Sequence, residues 1–347
     1  MVPEEWPIDA PLAEDGAYAA RPAGRYRLST VRRDFFLDPK HRLSEQERAV
    51  MTAMLADLLG NIAIEIGAAM PSGSAPANDD DDQHLLRELS SAGLLDHEEL
   101  IALLLRRADE ERIATAVRAR SGAGGAFLQA LIADDDEGVS AAAMALILAR
   151  GRRRDRLGQP RIEFEDLSEE VARSLAQAVA AALRRRSRGA VQDDADLLHS
   201  EAASLLLDRR DTAKAAEGLT RALVEFLNAA NGLDEQLLEA AAREGDMGFL
   251  SHALAERAGI PVAAAWDHLV SGERGRLVLL LRMADVSRSF GASLLALLGD
   301  LVGLSDLGTE IGRFDELDAA DVSAARDWLR LDPAYRTAAA LLDRDHG

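Results

Sequence analysis

The stretch that decides the fold is Asp234 to Leu269, DEQLLEAAAREGDMGFLSHALAERAGIPVAAAWDHL. Asp234 is a helix-opening residue, because its carboxylate can accept from the free N–H groups of the first turn. Ala- and Leu-rich sequence follows and is broken by Gly245-Asp246. It resumes until Gly259-Ile260-Pro261, where Gly ends one helix and Pro occupies the first turn of the next. Three short helices in succession, joined by tight turns, predict helical pairs that stack on one another.

The same reading extends outward from Leu43 to Leu342. Ser44-Glu45-Gln46-Glu47 is a capping box, and Met51, Met54, Leu55, Leu58, Leu59 and Ile62 recur behind it at helical spacing. That helix ends near Met70, since Pro71-Ser72-Gly73-Ser74-Ala75-Pro76 cannot continue it. Four helices are expected between Gln83 and Arg154, with breaks at Gly93, Gly122 to Gly125 and Asp134 to Gly138. Ser168 caps another helix with Glu169 and Glu170 in its first turn. After Gly189 come helices marked by Leu198 to Leu206 and by Leu219 to Ala230, the latter stopped at Asn231-Gly232. Leu277 to Leu281 is apolar all round and reads as a helix buried on every side. Asp332-Pro333 opens the last one. No alternating strand is found, so the fold class is all-α, a HEAT-like helical-repeat array (α-solenoid) without a sheet.

A faint repeat supports this. Phe127-Leu128, Ala130-Leu131, Gly138 and Ala141 to Ala143 match Phe249-Leu250, Ala253-Leu254, Gly259 and Ala263 to Ala265, about 122 positions further on once a gap is allowed. The expected organisation is an N-terminal arm over 1–27, a helical half over 28–190 with a flexible acidic linker at 71–82, and a second helical-repeat half over 191–347. The arm carries Pro3, Pro7, Pro11 and Pro22, with Trp6 and Tyr18 able to dock on a groove.

Composition narrows the function. The chain of 347 residues has a formal net charge of −20, which repels nucleic acid and anionic membrane. With 48% apolar and only 4% aromatic residues, the core must be built from Leu, Ala, Val and Ile. The absence of Cys removes disulfides and thiolate chemistry. No signal sequence and no apolar run of membrane-spanning length is read, so the expected location is cytoplasmic, without membrane insertion.

Ser90-Ser91-Ala92-Gly93-Leu94-Leu95-Asp96, Leu100 to Arg107, Asp134 to Glu137 and Ala141 to Arg154 resemble an alphaproteobacterial helical family, the domain of unknown function family 2336. So do Arg156-Leu157-Gly158-Gln159-Pro160-Arg161 and Arg243-Glu244-Gly245-Asp246 through Pro261. The resemblance implies an all-α, HEAT-like array and carries over no catalytic residue.

The most unusual local feature is basic. Arg150, Arg152, Arg153, Arg154, Arg156 and Arg161 fall within twelve positions, and Arg184, Arg185, Arg186 and Arg188 form a second cluster. Up to position 190 there are 25 basic and 32 acidic residues; beyond it, 15 and 28. Arg presents a planar fork of donors suited to phosphate and carboxylate. If the chain folds back, the two clusters meet on one edge and offer an anion- or partner-binding surface. The competing reading is structural: Arg at helix C-termini meets the helix dipole and pairs with Asp155, Glu163, Glu165 and Asp166.

Other candidates dissolve. Asp79 to Asp82 and Asp134 to Gly138 lack the spaced oxygen ligands of a calcium loop. The seven His show no zinc spacing. Trp266-Asp267-His268 reads as a core Trp beside a surface His. Gly122 to Gly125 lacks the Lys-Ser/Thr ending of a phosphate loop. No catalytic constellation, metal or cofactor is expected. The leading expectation is a non-enzymatic scaffold or regulatory adaptor for a protein partner. The alternative is a sensor that binds a nucleotide or another phosphorylated small ligand at the Arg-rich edge. Trp328, Leu329 and Leu331 either seal the final repeat or join two chains as a homodimer.

Overall fold

In the computed structural model, the structure describes residues 43–70, 79–122, 125–186 and 194–344. The expected arm over 1–27, the Pro/Ser-rich turn at 71–78 and Arg188 lie outside them. The described residues form sixteen α-helices and no strand: α1 (Glu45–Ala69), α2 (Asp79–Ser91), α3 (Glu98–Ser121), α4 (Ala126–Ile132), α5 (Glu137–Arg152), α6 (Glu169–Arg186), α7 (Ala195–Asp208), α8 (Ala216–Ala229), α9 (Glu235–Glu244), α10 (Met247–Ala258), α11 (Val262–Leu269), α12 (Arg276–Met283), α13 (Arg288–Leu298), α14 (Leu307–Glu316), α15 (Ala319–Arg330) and α16 (Pro333–Arg344).

The caps follow the sequence. The Glu47 backbone N–H donates to the Ser44 hydroxyl at 3.2 Å, while Glu47 Oε2 accepts the Ser44 N–H at 3.1 Å, a closed capping box. Asp136, Asp234, Asp246, Asp306 and Asp318 each accept backbone N–H groups at the start of a helix. One expectation changes: the acidic run Asp79 to Asp82 is not linker but the first turn of α2.

Two hydrophobic cores result. The first gathers α1, α2, α6, α7 and the N-terminal half of α3, through Met51, Leu55, Leu59, Leu100, Leu104, Leu175 and Val179. The second gathers the C-terminal half of α3, then α4, α5 and α8 to α15, through Val117, Leu146, Leu223, Phe249, Leu277 and Leu294. Leu277, Val278, Leu280 and Leu281 of α12 are fully buried, as the all-apolar run requires. These cores do not follow the expected division at residue 190. α5 packs on α8 in the second core, while α6 and α7 return to α1 in the first. The amphipathic pattern marks a buried face without naming the core that receives it.

α1 is long and apolar enough to cross a membrane by length and composition. Its Met51, Leu55, Leu58, Leu59, Ile62 and Ile66 are instead buried in the first core. Helix α3 joins the cores. Leu100, Ile101 and Leu104 serve the first, Ile113 and Val117 the second. Between them run Arg106, Arg107, Asp109, Glu110, Glu111 and Arg112, so the two cores meet across a charged belt.

Candidate functional site

At that belt lies a half-open cleft of about 400 Å³. α3 supplies Arg107, Glu110, Glu111 and Arg118. The start of α4 supplies Phe127 and Leu128, and the end of α5 supplies Ile147, Arg150, Arg153 and Arg154. The start of α8 adds Glu217, and the α9–α10 turn adds Glu244, Asp246 and Met247. Segments distant in sequence converge there because the α9–α10 turn presses against α3. Gly245 has φ +72, and a Cβ on it would stand 2.6 Å from Ala114 Cα. Only Gly fits that approach.

Ion pairs fill the belt. Arg150 grips the Asp246 carboxylate with both terminal nitrogens, Nη2 reaching Oδ1 at 3.0 Å. Asp246 Oδ1 also caps α10 by accepting the Phe249 N–H at 2.9 Å. Arg153 pairs with Asp166, whose side chain is wholly buried. Arg154 Nη2 reaches Glu111 Oε2 at 2.6 Å, and Nη1 donates to the Gly158 carbonyl at 2.7 Å. Arg107 and Arg106 both pair with Glu110, and Arg106 Nη2 also lies 3.0 Å from Glu217. Glu244 accepts the N–H groups of Ala126 and Phe127 at the start of α4.

Glu217 lies 3.4 Å from His252 Nε2. Burial is the largest influence on Glu217 and opposes its charge. Arg106, His252 and Arg107 together outweigh it and hold the carboxyl below its ordinary range. Burial also pushes the His252 imidazole down, against the pull of Glu217. The His252 Nδ1 donates to the Gly248 carbonyl at 2.9 Å.

The expected Arg residues separate into two settings. Arg150, Arg153 and Arg154 line the cleft. Arg152 lies outside it and binds Glu163 at 2.8 Å and the Lys214 carbonyl at 3.2 Å. Arg161 Nε reaches Asp57 of α1 at 2.8 Å. Arg156 is exposed and makes no ion pair among the described residues. In the second cluster, Arg184 pairs with Asp196 at 2.9 Å, and Arg185 and Arg186 with Glu88 at 3.3 and 3.4 Å. Among the described residues no carboxylate is shared between the two clusters.

Two of the four carboxylates expected to neutralise the first cluster, Glu163 and Asp166, do so. Asp155 is spent on its own turn, accepting from the Leu157 and Gln159 N–H groups. His268 overturns its surface reading: it is buried, and its Nδ1–H donates to the Ala264 carbonyl at 2.9 Å. Pattern reasoning missed Arg107, Glu110, Glu111 and Arg118, although a charged run inside an otherwise apolar helix was their signal. It also missed Glu217 and Asp246, whose local mark is a helix start, and Glu244, which closes α9.

A family model described as an uncharacterised protein conserved in bacteria, domain of unknown function 2336, matches residues 86–321. The match takes in every helix that lines the cleft and leaves α1 of the first core outside it. No curated protein and no solved structure matches the chain.

Proposed function

We propose that this chain, which belongs to the bacterial domain of unknown function 2336 family, is a cytoplasmic, non-enzymatic adaptor of HEAT-like construction that binds another protein through its C-terminal helices. The observation that carries this reading is the apolar stripe they leave open. Tyr335 is 61% exposed and Leu342 63%. Both lie on one face of α16 with Ala338, at the spacing that lays a helix along a partner. Trp328 and Leu331, at the end of α15, extend the stripe, with the Trp328 ring set edge-on to Tyr335 at 6.5 Å.

Leu329, on the other side of α15, is buried and seals the core, so the stripe is apolar surface that the described helices leave uncovered. A net charge of −20 sets nucleic acid and anionic lipid aside, which leaves a protein surface as the occupant.

The test compares the wild type with a Tyr335→Asp/Leu342→Asp variant. These side chains touch no core, so the variant should melt like the parent. A partner bound by the parent and by Arg156→Glu, yet lost from the stripe variant, supports the reading. Loss of self-association alone identifies a second copy of this chain as the occupant. Identical binding by all three proteins overturns it.

A further inference from the structure

The cleft at the charged belt of α3 carries a second proposal, independent of the stripe. We propose that it is a binding site for a small organic monoanion, one oxyanion head group on an apolar body. Five Arg and five carboxylates line the cleft, so it is formally neutral. The carboxylates are all committed. Glu110, Glu111 and Asp246 are held by Arg, Glu217 lies between Arg106 and His252, and Glu244 caps α4.

The donors are not. The Arg118 guanidinium makes no hydrogen bond among the described residues. Its nearest carboxylate, Glu111, stands 3.6 Å away and is already held by Arg154. Arg107 Nη2 and Arg153 Nε in the buried wall also lack a hydrogen-bond partner. A guanidinium carries five N–H donors in a fixed fork, so what the site lacks is an acceptor.

The same lining limits the ligand. A nucleoside triphosphate would bring several negative charges up to five carboxylates, which disfavours the polyanion. A single head group at Arg118 meets no such cost. Phe127, Leu128, Ile147 and Met247 offer an apolar wall beside it, and the cleft volume lies within the range of small-molecule sites. Arg118 is 41% exposed, which places it where a ligand can enter.

Octanoate and octyl sulfate, both monoanions at pH 7, are suitable probes, with octanamide as the neutral counterpart, titrated calorimetrically into the full chain. The expected result is one saturable site for at least one oxyanion and none for the amide. Arg118→Gln should weaken that site about tenfold or more, the worth of a charge-assisted fork. Arg156→Gln, which is exposed and outside the cleft, should leave it unchanged. Circular dichroism of Arg118→Gln separates a lost site from a lost fold, and Arg118→Lys offers a second folded variant that keeps the charge without the fork. A preference between the two probes assigns the head group as a planar carboxylate or a tetrahedral oxyanion. The proposal is overturned if neither oxyanion binds saturably up to about 10 mM. It fails equally if the amide binds as well as the acid, or if Arg118→Gln binds like the parent.

Discussion

The Phe127 and Phe249 rings pack against each other with centroids 5.3 Å apart and planes tilted by 58°. They are the two residues aligned by the internal repeat, one at the start of α4 and one at the start of α10. A carboxylate caps each helix beside its ring, Glu244 for α4 and Asp246 for α10. Phe249 is fully buried, so Phe249→Ala should cost about 3–5 kcal/mol in urea unfolding. A double-mutant cycle with Phe127→Ala should return a coupling of about 0.5–1.5 kcal/mol. Purely additive losses would remove the ring contact from the account.

Gly245 and Gly122 both hold positive φ, +72 and +64, but only Gly245 has backbone against it. Gly122→Ala should therefore cost only the left-handed conformation, about 1–2 kcal/mol. Gly245→Ala adds a clash with Ala114 on α3 and should lose clearly more, together with the docking of α9 on α3. Equal melting temperatures for the two variants would contradict this.

Charge reversal in the first Arg cluster should separate by position. Arg153→Glu sets a second carboxylate against buried Asp166 and should destabilise by about 3–5 kcal/mol. Arg156→Glu faces solvent and should leave the melting temperature within experimental scatter. Similar losses from both would mean the cluster acts as one unit.

His268 supplies a pH dependence. Burial, helped by Arg276 and Arg336, pushes its imidazole down to about 4, against 6.5 in the unfolded chain. The unfolded state thus binds the proton first as pH falls. Stability contributed by the neutral ring is present above pH 6.5 and drains away towards pH 4. Between pH 7.5 and 5 the wild type should lose about 2 kcal/mol more than His268→Gln. Parallel pH profiles for the two proteins would place His268 in solvent.

Much of this fold is legible along the chain. The Ser44–Glu47 box, Asp234, the Gly259-Ile260-Pro261 turn and Asp332-Pro333 mark helix ends that the structure reproduces, because capping is local chemistry. The division into cores is not local. α6 and α7 look like any other amphipathic pair, and only their packing on α1 sends them to the first core. The cleft was half visible for the same reason. Arg150, Arg153 and Arg154 stand out by density, but their partners Asp246, Asp166 and Glu111 lie between 13 and 96 positions away. Density of Arg reported where positive charge is concentrated, and the structure shows most of it neutralised.

The most direct test of the adaptor reading is a photo-crosslinking residue placed at Tyr335 in the native host, with the same residue at exposed Arg156 as the reference. The account predicts a protein adduct formed at Tyr335 and not at Arg156, which disappears when Leu342→Asp is added. Equal crosslinking from the two positions, or none from Tyr335, would contradict it.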